Sequence, residues 1–567
     1  MATTALWKRQ HVARNFTFCS GRMTQWREKS FDSGVDEAKE HLESQPSIIA
    51  EEEDDLHRGL KARHIQLMAL GGAIGTGLFV GSGAALAKCG PAGLLTGYLI
   101  LSTVIYFVMN ALGEMVCYIP QQGGAISDLA KKYVSPSLGF ATGWIYYYTF
   151  VILICSEVTA AALVIEYWTK KVHIAVWIII FVAVIIGLNF LAVKYYGESE
   201  FWFASLKIIC IVGLIILGVV IFFGGAPNQH GVLGFHYWKT PGAFAYHLLP
   251  GNTGRFLDCW TGVIKSGFAF IVSPELVAIA SAETQRPRRN INKAARRFVY
   301  RLMFFYILGT LVIGVMVPYN NPDLMSGTGN ASASPFVIGI HLVGIHVLNH
   351  IINAVILSSA WSSGNSFFYA ASRFLKSMAD VGDAPKIFRR TNKYGVPYIA
   401  CGLTAALSMI SFLNVSSSGA NVFAWFSNLC TISGFIGWII IGVCYLRWRK
   451  AVFYNGLWDR VPFKTPLQPY GTYYFMFVIT LVCITNGYAV FFDFNGPDFV
   501  AAYLTLPVFF LLYFGHKLFT RDWSWGHPVD EIDVITGLDE AEQIEADFEA
   551  KTIPPTTVWG KFIDWLL

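Results

Sequence analysis

The chain has 567 residues, of which 54% are hydrophobic and only 14% charged, against about a quarter charged in soluble domains. With a mean hydropathy of +0.48, this composition excludes a soluble globule and points to an all-α polytopic membrane protein. The formal net charge of +5 is small; no nucleic-acid partner, cofactor or metal is expected.

Residues 1–62 read as a polar N-terminal tail with an acidic run at Glu51–Asp55 and no cleavable signal peptide. Ten cysteines are scattered through the chain without a CxxC pair, which argues against a metal site or a disulfide framework. No GxxxxGK[ST] stretch suggests a built-in ATPase.

From residue 63 the chain becomes apolar. A bilayer helix needs about 20 apolar residues, and twelve segments qualify: 64–87, 93–117, 138–165, 174–192, 200–222, 256–282, 299–317, 335–372, 396–413, 420–446, 470–492 and 498–519. The eighth is too long for one crossing and should contain a short helix before the main one. Residues 520–567 form a C-terminal tail whose DEAEQIEADFEA stretch is acidic and favours a helix.

Lys and Arg set the orientation. They crowd the loops after spans six (Arg286, Arg288, Arg289, Lys293, Arg296, Arg297, Arg301), eight (Arg373, Lys376, Lys386, Arg389, Arg390, Lys393) and ten (Arg447, Arg449, Lys450, Arg460, Lys464). The loops 318–334, 414–419 and 493–497 have none. Both tails are therefore expected in the cytoplasm, with Lys170 and Lys171 a minor exception. The sequons at Asn330 and Asn414 fall in outside loops, and the one at Asn15 falls inside.

Few ionisable residues lie within the spans, so each invites a functional reading. Glu157 lies deep in span three and Lys207 in span five, about 10 Å from its inner end at ~1.5 Å per residue. Lys265 and Glu275 lie in span six, and Glu114 near the inner end of span two. The alternatives are structural: Lys207 and Lys265 can snorkel, Glu275 can serve pairing, and Glu114 can be an interfacial ion-pair partner.

The stretch GGAIGTGLFVGSG, Gly71–Gly83, holds six glycines in thirteen residues inside span one. Either it packs closely on another helix through Gly77 and Gly81, or the helix breaks there. Span six carries Gly267 and Pro274, and Pro274 removes a backbone donor. Two interruptions five spans apart fit an inverted five-helix repeat, and paired interruptions mark a transporter binding site. A break exposes N–H groups for an anion and carbonyls for an ammonium.

The chain resembles the fungal amino-acid permeases of the amino acid–polyamine–organocation superfamily. The resemblance runs from about residue 57 to 520 and rests on RHIQLMALGGAIGTGLFVGSG, CGPAGL, ALGEMV, SLGFATGW, YGESEFWFASLK, SAE followed by RRNINKAARR, and ASPFVIG. Within that family KSGFAFIVSPELV, VPYNNPDL and RKAVFYNGLWDRVPFKTPLQPYGTYY look most like the proline-permease branch. Ser273 and Pro274 replace the Gly and Thr found before the glutamate in general permeases, as in that branch.

The resemblance implies a five-plus-five inverted-repeat core of the leucine-transporter type, broken helices 1 and 6, and two further helices. It implies proton-driven amino-acid uptake across the plasma membrane and no enzymatic activity. Carried over, Ala73, Ile74, Gly75, Thr76 and Gly77 would hold the substrate carboxylate through backbone N–H groups. Ser266, Gly267, Phe268, Ala269 and Phe270 would form the facing break, with Phe268 against the substrate side chain. Glu157 would help set substrate choice, and Lys207 would couple the proton. Lys265, Glu275 and Glu114 remain supporting candidates.

Proline has two N–H donors where other amino acids have three, so its site needs fewer acceptors and a flat wall. Phe268, Phe270 and Trp425 are the candidate walls. A broader permease for alanine, glycine or γ-aminobutyrate, or a sensor that transports little, would share these features. The resemblance also implies recognition of the tails by a ubiquitin ligase and arrestin adaptors, with Lys8, Lys29, Lys39 and Lys61 available for ubiquitin.

Overall fold

The computed structural model describes residues 75–119, 126–169, 171–190, 193–271, 274–275, 287–325, 334–392, 395–415 and 419–551. The N-terminal tail with its four lysines, Ala73, Ile74 and the Asn330 sequon lie outside the described residues. Every regular element among those described is a helix. Seven helices are long and apolar enough to cross a membrane, and an eighth if one pair bent by 44° counts as a single span.

A π-helical turn, Gly77–Gly81, leads into α1, Ser82–Tyr118. The expected first and second spans follow one another without a loop: helical geometry breaks at Gly90 (φ 70°, ψ 172°), before Pro91, so α1 comprises two helical segments that meet there. A side chain at Gly90 would be strained by that φ, and its Cβ would lie 2.7 Å from the Ala243 carbonyl oxygen. The short helix α2, Ile126–Tyr133, precedes α3, Pro136–Ile165. Ser135 caps α3 by accepting from Leu138 N–H at 3.3 Å, and Pro136 fills its first turn, where no N–H is needed.

α4, Ile174–Asn189, and α5, Val193–Phe222, follow. α6 spans Gly251–Phe270 and α7 spans Pro287–Met316. α7 starts three turns before the expected span, because a proline at its first position suits a helix start and the basic residues after it are good helix formers. The long eighth segment divides as expected, into α8, Pro335–Leu342, and α9, His346–Val381. Then come α10, Tyr398–Ser408; α11, Gly419–Tyr454; α12, Tyr470–Thr485; α13, Gly496–Tyr503; α14, Thr505–Thr520; and α15, Leu538–Lys551.

α1 and α6 cross backbone to backbone. A Cβ on Gly97 would overlap the Gly262 carbonyl, one on Gly262 would overlap the Gly93 carbonyl, and one on Gly93 would lie 2.9 Å from Asp258 O. Small residues at such crossings let helices approach where lipid offers no hydrophobic drive to association. α3 sits at the centre, buried on nearly every side. α5 shows the opposite pattern: Trp202 is 71% exposed and Ile209 69%, while Lys207, which points the other way, is fully buried. An apolar exposed face of this extent suits lipid.

Asn414 corrects the expectation of an outside sequon. Its amide is 5% exposed and donates to Thr159 Oγ1 at 2.8 Å and to Ser411 O at 2.7 Å, so it belongs to the interior.

The segment 521–551 docks against the end of α1, α2, the start of α7 and the loop after α11. Ile532, Val534 and Leu538 are buried. Tyr118 Oη donates to Val534 O at 2.9 Å, and His527 N–H donates to Val134 O at 2.8 Å. Lys132 pairs with Asp533 at 3.6 Å, while Arg460 grips Glu542 at 2.6 Å and also Asp539. Arg288 donates to Tyr118 O at 2.8 Å and faces Glu542 at 4.0 Å.

The Arg460 hydrogen bond is the main reason that the Glu542 carboxyl is held below its usual range. A depressed carboxyl pKa stabilises docking above the ordinary glutamate pKa, and the contribution fades as pH falls through the depressed value. The tie is therefore constant across physiological pH. Arg460→Glu puts like charges at the clamp, and cleavage of α15 by a glutamate-specific protease is expected to quicken, because the helix opens more often. Unchanged cleavage would show that the buried apolar residues hold the segment alone.

Candidate functional site

Gly75, where the described chain enters span one, is a bend, and helix begins at Thr76. Phe79 N–H reaches Gly75 O at 3.4 Å, so the amides of Thr76, Gly77 and Leu78 stand at a helix start. Ser334 Oγ donates to Phe79 O at 2.7 Å and steadies the turn. A helix thus starts at Thr76, within the stretch where a break is expected; Gly71 to Ile74 lie outside the described residues.

Span six differs from the expectation. Ser266–Phe270 are not an unwound stretch; they form the last turn of α6, and the chain becomes extended at Ile271 (φ −60°, ψ 153°). The physical reason is the reach of Pro274, whose ring clashes with the carbonyl four residues back and so ends the helix at residue 270. The last carbonyls of α6 are left at the break. Tyr306 Oη donates to one of them, Ala269 O, at 2.7 Å. Ser266 Oγ turns back to Val263 O at 3.0 Å, so its hydroxyl serves its own helix.

The two breaks touch. A Cβ on Gly77 would lie 2.9 Å from Ala269 Cα, so only glycine lets the start of one helix meet the end of the other. Phe268 is half-buried, packs edge-on against Phe423 at 5.6 Å, and its ring edge would lie 3.8 Å from a Cβ on Gly81. Gly267 is backed by Phe435 and Thr431.

Glu157, 4% exposed, closes the group from α3. Thr76 Oγ1 donates to its Oε1 at 3.0 Å, and its Oε2 has no partner among the described residues. A buried carboxylate oxygen without a donor is costly, so the arrangement leaves one acceptor open. Lys207 is fully buried, so it does not snorkel. Its Nζ donates to Ser363 Oγ at 3.0 Å, and it lies within electrostatic reach of Glu157. Gly364, next to Ser363, would place a Cβ 3.5 Å from Glu157 Cβ. α3, α5 and α9 thus bring a buried acid and a fully buried base close to the junction of Gly77 and Ala269.

The other candidates stand apart. Phe270 is no substrate wall: it is fully buried, with Tyr306 at 4.7 Å and Tyr98 at 5.5 Å. Trp425 donates to Asp498 Oδ1 at 2.6 Å. Glu275 accepts from Tyr146 at 2.9 Å and Trp438 at 3.1 Å, joining span six to α3 and α11. Glu114 accepts from Tyr445 at 2.6 Å and from Thr465 N–H at 2.8 Å, with Arg449 at 3.9 Å, which ties α1 to the loop after α11. Lys265 reaches Asn428 Oδ1 at 3.5 Å.

Sequence reasoning missed Ser363, Phe423 and Thr431. The serine-rich run SSAWSSGNS, residues 358–366, was a visible signal, since such residues in an apolar span invite an interhelical partner. No group of His, Cys, Asp and Glu that could hold a metal is found among the described residues.

Comparison with known proteins bears directly on these observations. The amino acid permease family profile matches residues 64–525. A proline-specific permease of Saccharomyces cerevisiae is 56% identical over 538 residues, 93% of this chain and 86% of that one. A proline-specific permease of Emericella nidulans is 52% identical, covering 92% of this chain and 96% of its own. A lysine-specific permease of Saccharomyces cerevisiae is 36% identical over 92% of this chain and 85% of its own. With apolar helices through its length and a profile match across the whole membrane region, the chain belongs to the amino acid permease family, multi-pass membrane transporters rather than enzymes.

Proposed function

We propose that this permease carries L-proline into the cell together with a proton, by alternating access across the plasma membrane. The observation that carries the reading is the junction of Gly77 with Ala269 beside a carboxylate held on one side only. The amides of Gly75, Thr76 and Gly77 receive the substrate carboxylate. The carbonyl end of α6 and Glu157 Oε2 receive the two N–H donors of a secondary ammonium. Phe268 supplies the flat wall. In this reading the site is fitted to two donors, and the third donor of a primary ammonium is disfavoured by the cost of an unmade hydrogen bond.

In this reading Lys207 takes up the proton. An ammonium in a dry site is disfavoured, so the group can release its proton as water arrives from alternate sides. Each conformation is favoured by one protonation state, which links the gradient to substrate movement. Twelve spans, the five-plus-five repeat, cytoplasmic tails at 1–62 and 520–567, and a transmembrane domain over 63–519 complete the proposal. Recognition of the tails by a ubiquitin ligase with arrestin adaptors also belongs to it.

Radiolabelled proline uptake in fungal cells lacking their own proline carriers tests this, at pH 5 and pH 7.5, with and without an uncoupler. The expected result is uptake that is faster at pH 5, collapses with the uncoupler, and resists competition by lysine. Preference for alanine or γ-aminobutyrate would overturn the proline assignment. A protein that reaches the surface and moves no amino acid would overturn transport in favour of sensing.

A further inference from the structure

α9 carries polar residues that the site does not use. Asn349 is 4% exposed, and Asn353 and Ser359 are fully buried. Asn349 Oδ1, both amide atoms of Asn353 and Ser359 Oγ have no hydrogen-bond partner among the described residues. With Ser363 they lie within about 120° of one another around the helix, at ~100° per residue. They form one face, running from the outer end of α9 down to the hydroxyl that holds Lys207. Apolar residues lie between them: Ile352, Val355 and Ile356 are all buried.

An amide with both its donors and its acceptor unmet is too costly to keep dry inside a membrane protein. Native structures satisfy such groups with ordered water, provided that several polar atoms converge. Four orphaned atoms along one face meet that condition, and no side chain among the described residues supplies the bonds. From Asn353 to Ser363 the helix rises about 15 Å, a distance that a few waters cover with Ser359 as the step between.

We propose that Asn349, Asn353 and Ser359 hold a row of water that carries protons between the outer surface and Lys207. The inference rests on the proton-coupled reading and adds to it the route by which the proton arrives. Water hydrogen-bonded in a row passes a proton by exchanging bonds, so no side chain of the row need change charge. The charged groups facing the inner end of the row are Lys207 on α5 and Glu157 on α3. His350, on α9 itself, accepts from Trp168 Nε1 at 3.2 Å near the outer end. α4 carries no Lys, Arg, Asp, Glu or His, and α8 adds His341.

The test compares the parent chain with Asn353→Leu, which fills the place of the amide with an apolar side chain. Two quantities are read in the same cells: net uptake of labelled proline at pH 5, and exchange of internal labelled proline for external unlabelled proline. Exchange needs no proton release. Net uptake is expected to fall about tenfold while exchange stays within about twofold, with net uptake reaching half its maximum at a lower pH. Asn353→Ser, which keeps a water-binding group, is expected to restore net uptake.

Equal losses in uptake and exchange would overturn the row, because they show a structural role only. So would unchanged uptake in Asn353→Leu. If that variant fails to reach the surface, Asn349→Ala carries the same comparison, with the same two outcomes. A parent chain whose net uptake ignores pH and uncoupler would overturn the proton-coupled reading itself, and the row with it.

Discussion

Lys207→Met is expected to reach the cell surface and to exchange proline across the membrane, but not to accumulate it against a gradient. Methionine is close to lysine in length and flexibility, and it removes the charge from a fully buried site. Ser363 loses a donor at 3.0 Å, but a serine in a helix can turn its hydroxyl to its own backbone, as Ser358 does to Val355 O at 2.8 Å. Folding is therefore spared. What is lost is the buried ammonium that rests on Ser363. In the proposed mechanism neither conformation is then favoured by a proton, and the gradient has nothing to act on. Accumulation at pH 5 is expected to fall about 100-fold, the upper part of the usual range for coupling between two sites. Lys207→Arg should fail as well, because a guanidinium stays charged at every pH the cell reaches. Uptake by Lys207→Met that still rises with acid and still collapses with an uncoupler would remove this lysine from the mechanism.

The largest expected effect on folding is at Gly97. A valine there drives its branched carbons into the Gly262 carbonyl, where α1 and α6 meet backbone to backbone. Overpacking in a core costs about 1–3 kcal/mol when side chains can give way. Here the obstacle is main chain, fixed by its own helix, so the cost is at or above the top of that range. Against a net stability of about 5–15 kcal/mol, Gly97→Val is expected to leave little folded protein, read as surface protein and as the monodisperse peak on size exclusion. Gly187→Ala is the control: no atom lies within 4 Å of a Cβ there, and an alanine favours the helix by about 1 kcal/mol. Equal yields from both variants would show that the crossing can open to admit a side chain.

These two positions also show what could be read from the sequence. Depth and polarity are local properties. The apolar runs located the helices, and the lone charges marked Glu157 and Lys207 as buried groups before any fold was known. Gly77 stood out for the same reason, since a glycine-rich stretch in a membrane helix needs a cause. Partners are not local. That Thr76 would bond Glu157, 81 positions away, or that Lys207 would rest on Ser363, follows only from how α3, α5 and α9 pack. Phe270 misled because an aromatic beside a break reads as a wall, whereas its ring turns toward Tyr98 and Tyr306. The interruption expected over Ser266–Pro274 starts a turn later, after Phe270, because the turn that holds Gly267 stays helical against Phe435 and Thr431. The orphaned amides of α9 left no mark at all, for an asparagine in an apolar run looks the same whether satisfied or not.

The docked C-terminal segment has its own consequence. Its ties reach Tyr118 at the end of α1, Lys132 in α2, Arg288 at the start of α7 and Arg460 after α11. It therefore acts as a caliper across that end of the helices, closed only while those four points keep their present spacing. Any step of the cycle that moves Arg288 away from Arg460 must let go of Glu542. The exchange runs both ways with equal strength: a protein that captures α15 favours the spread form by the factor by which spreading exposes α15. How far these four points stand apart and how visible the segment is to a binding partner become one equilibrium measured at two ends.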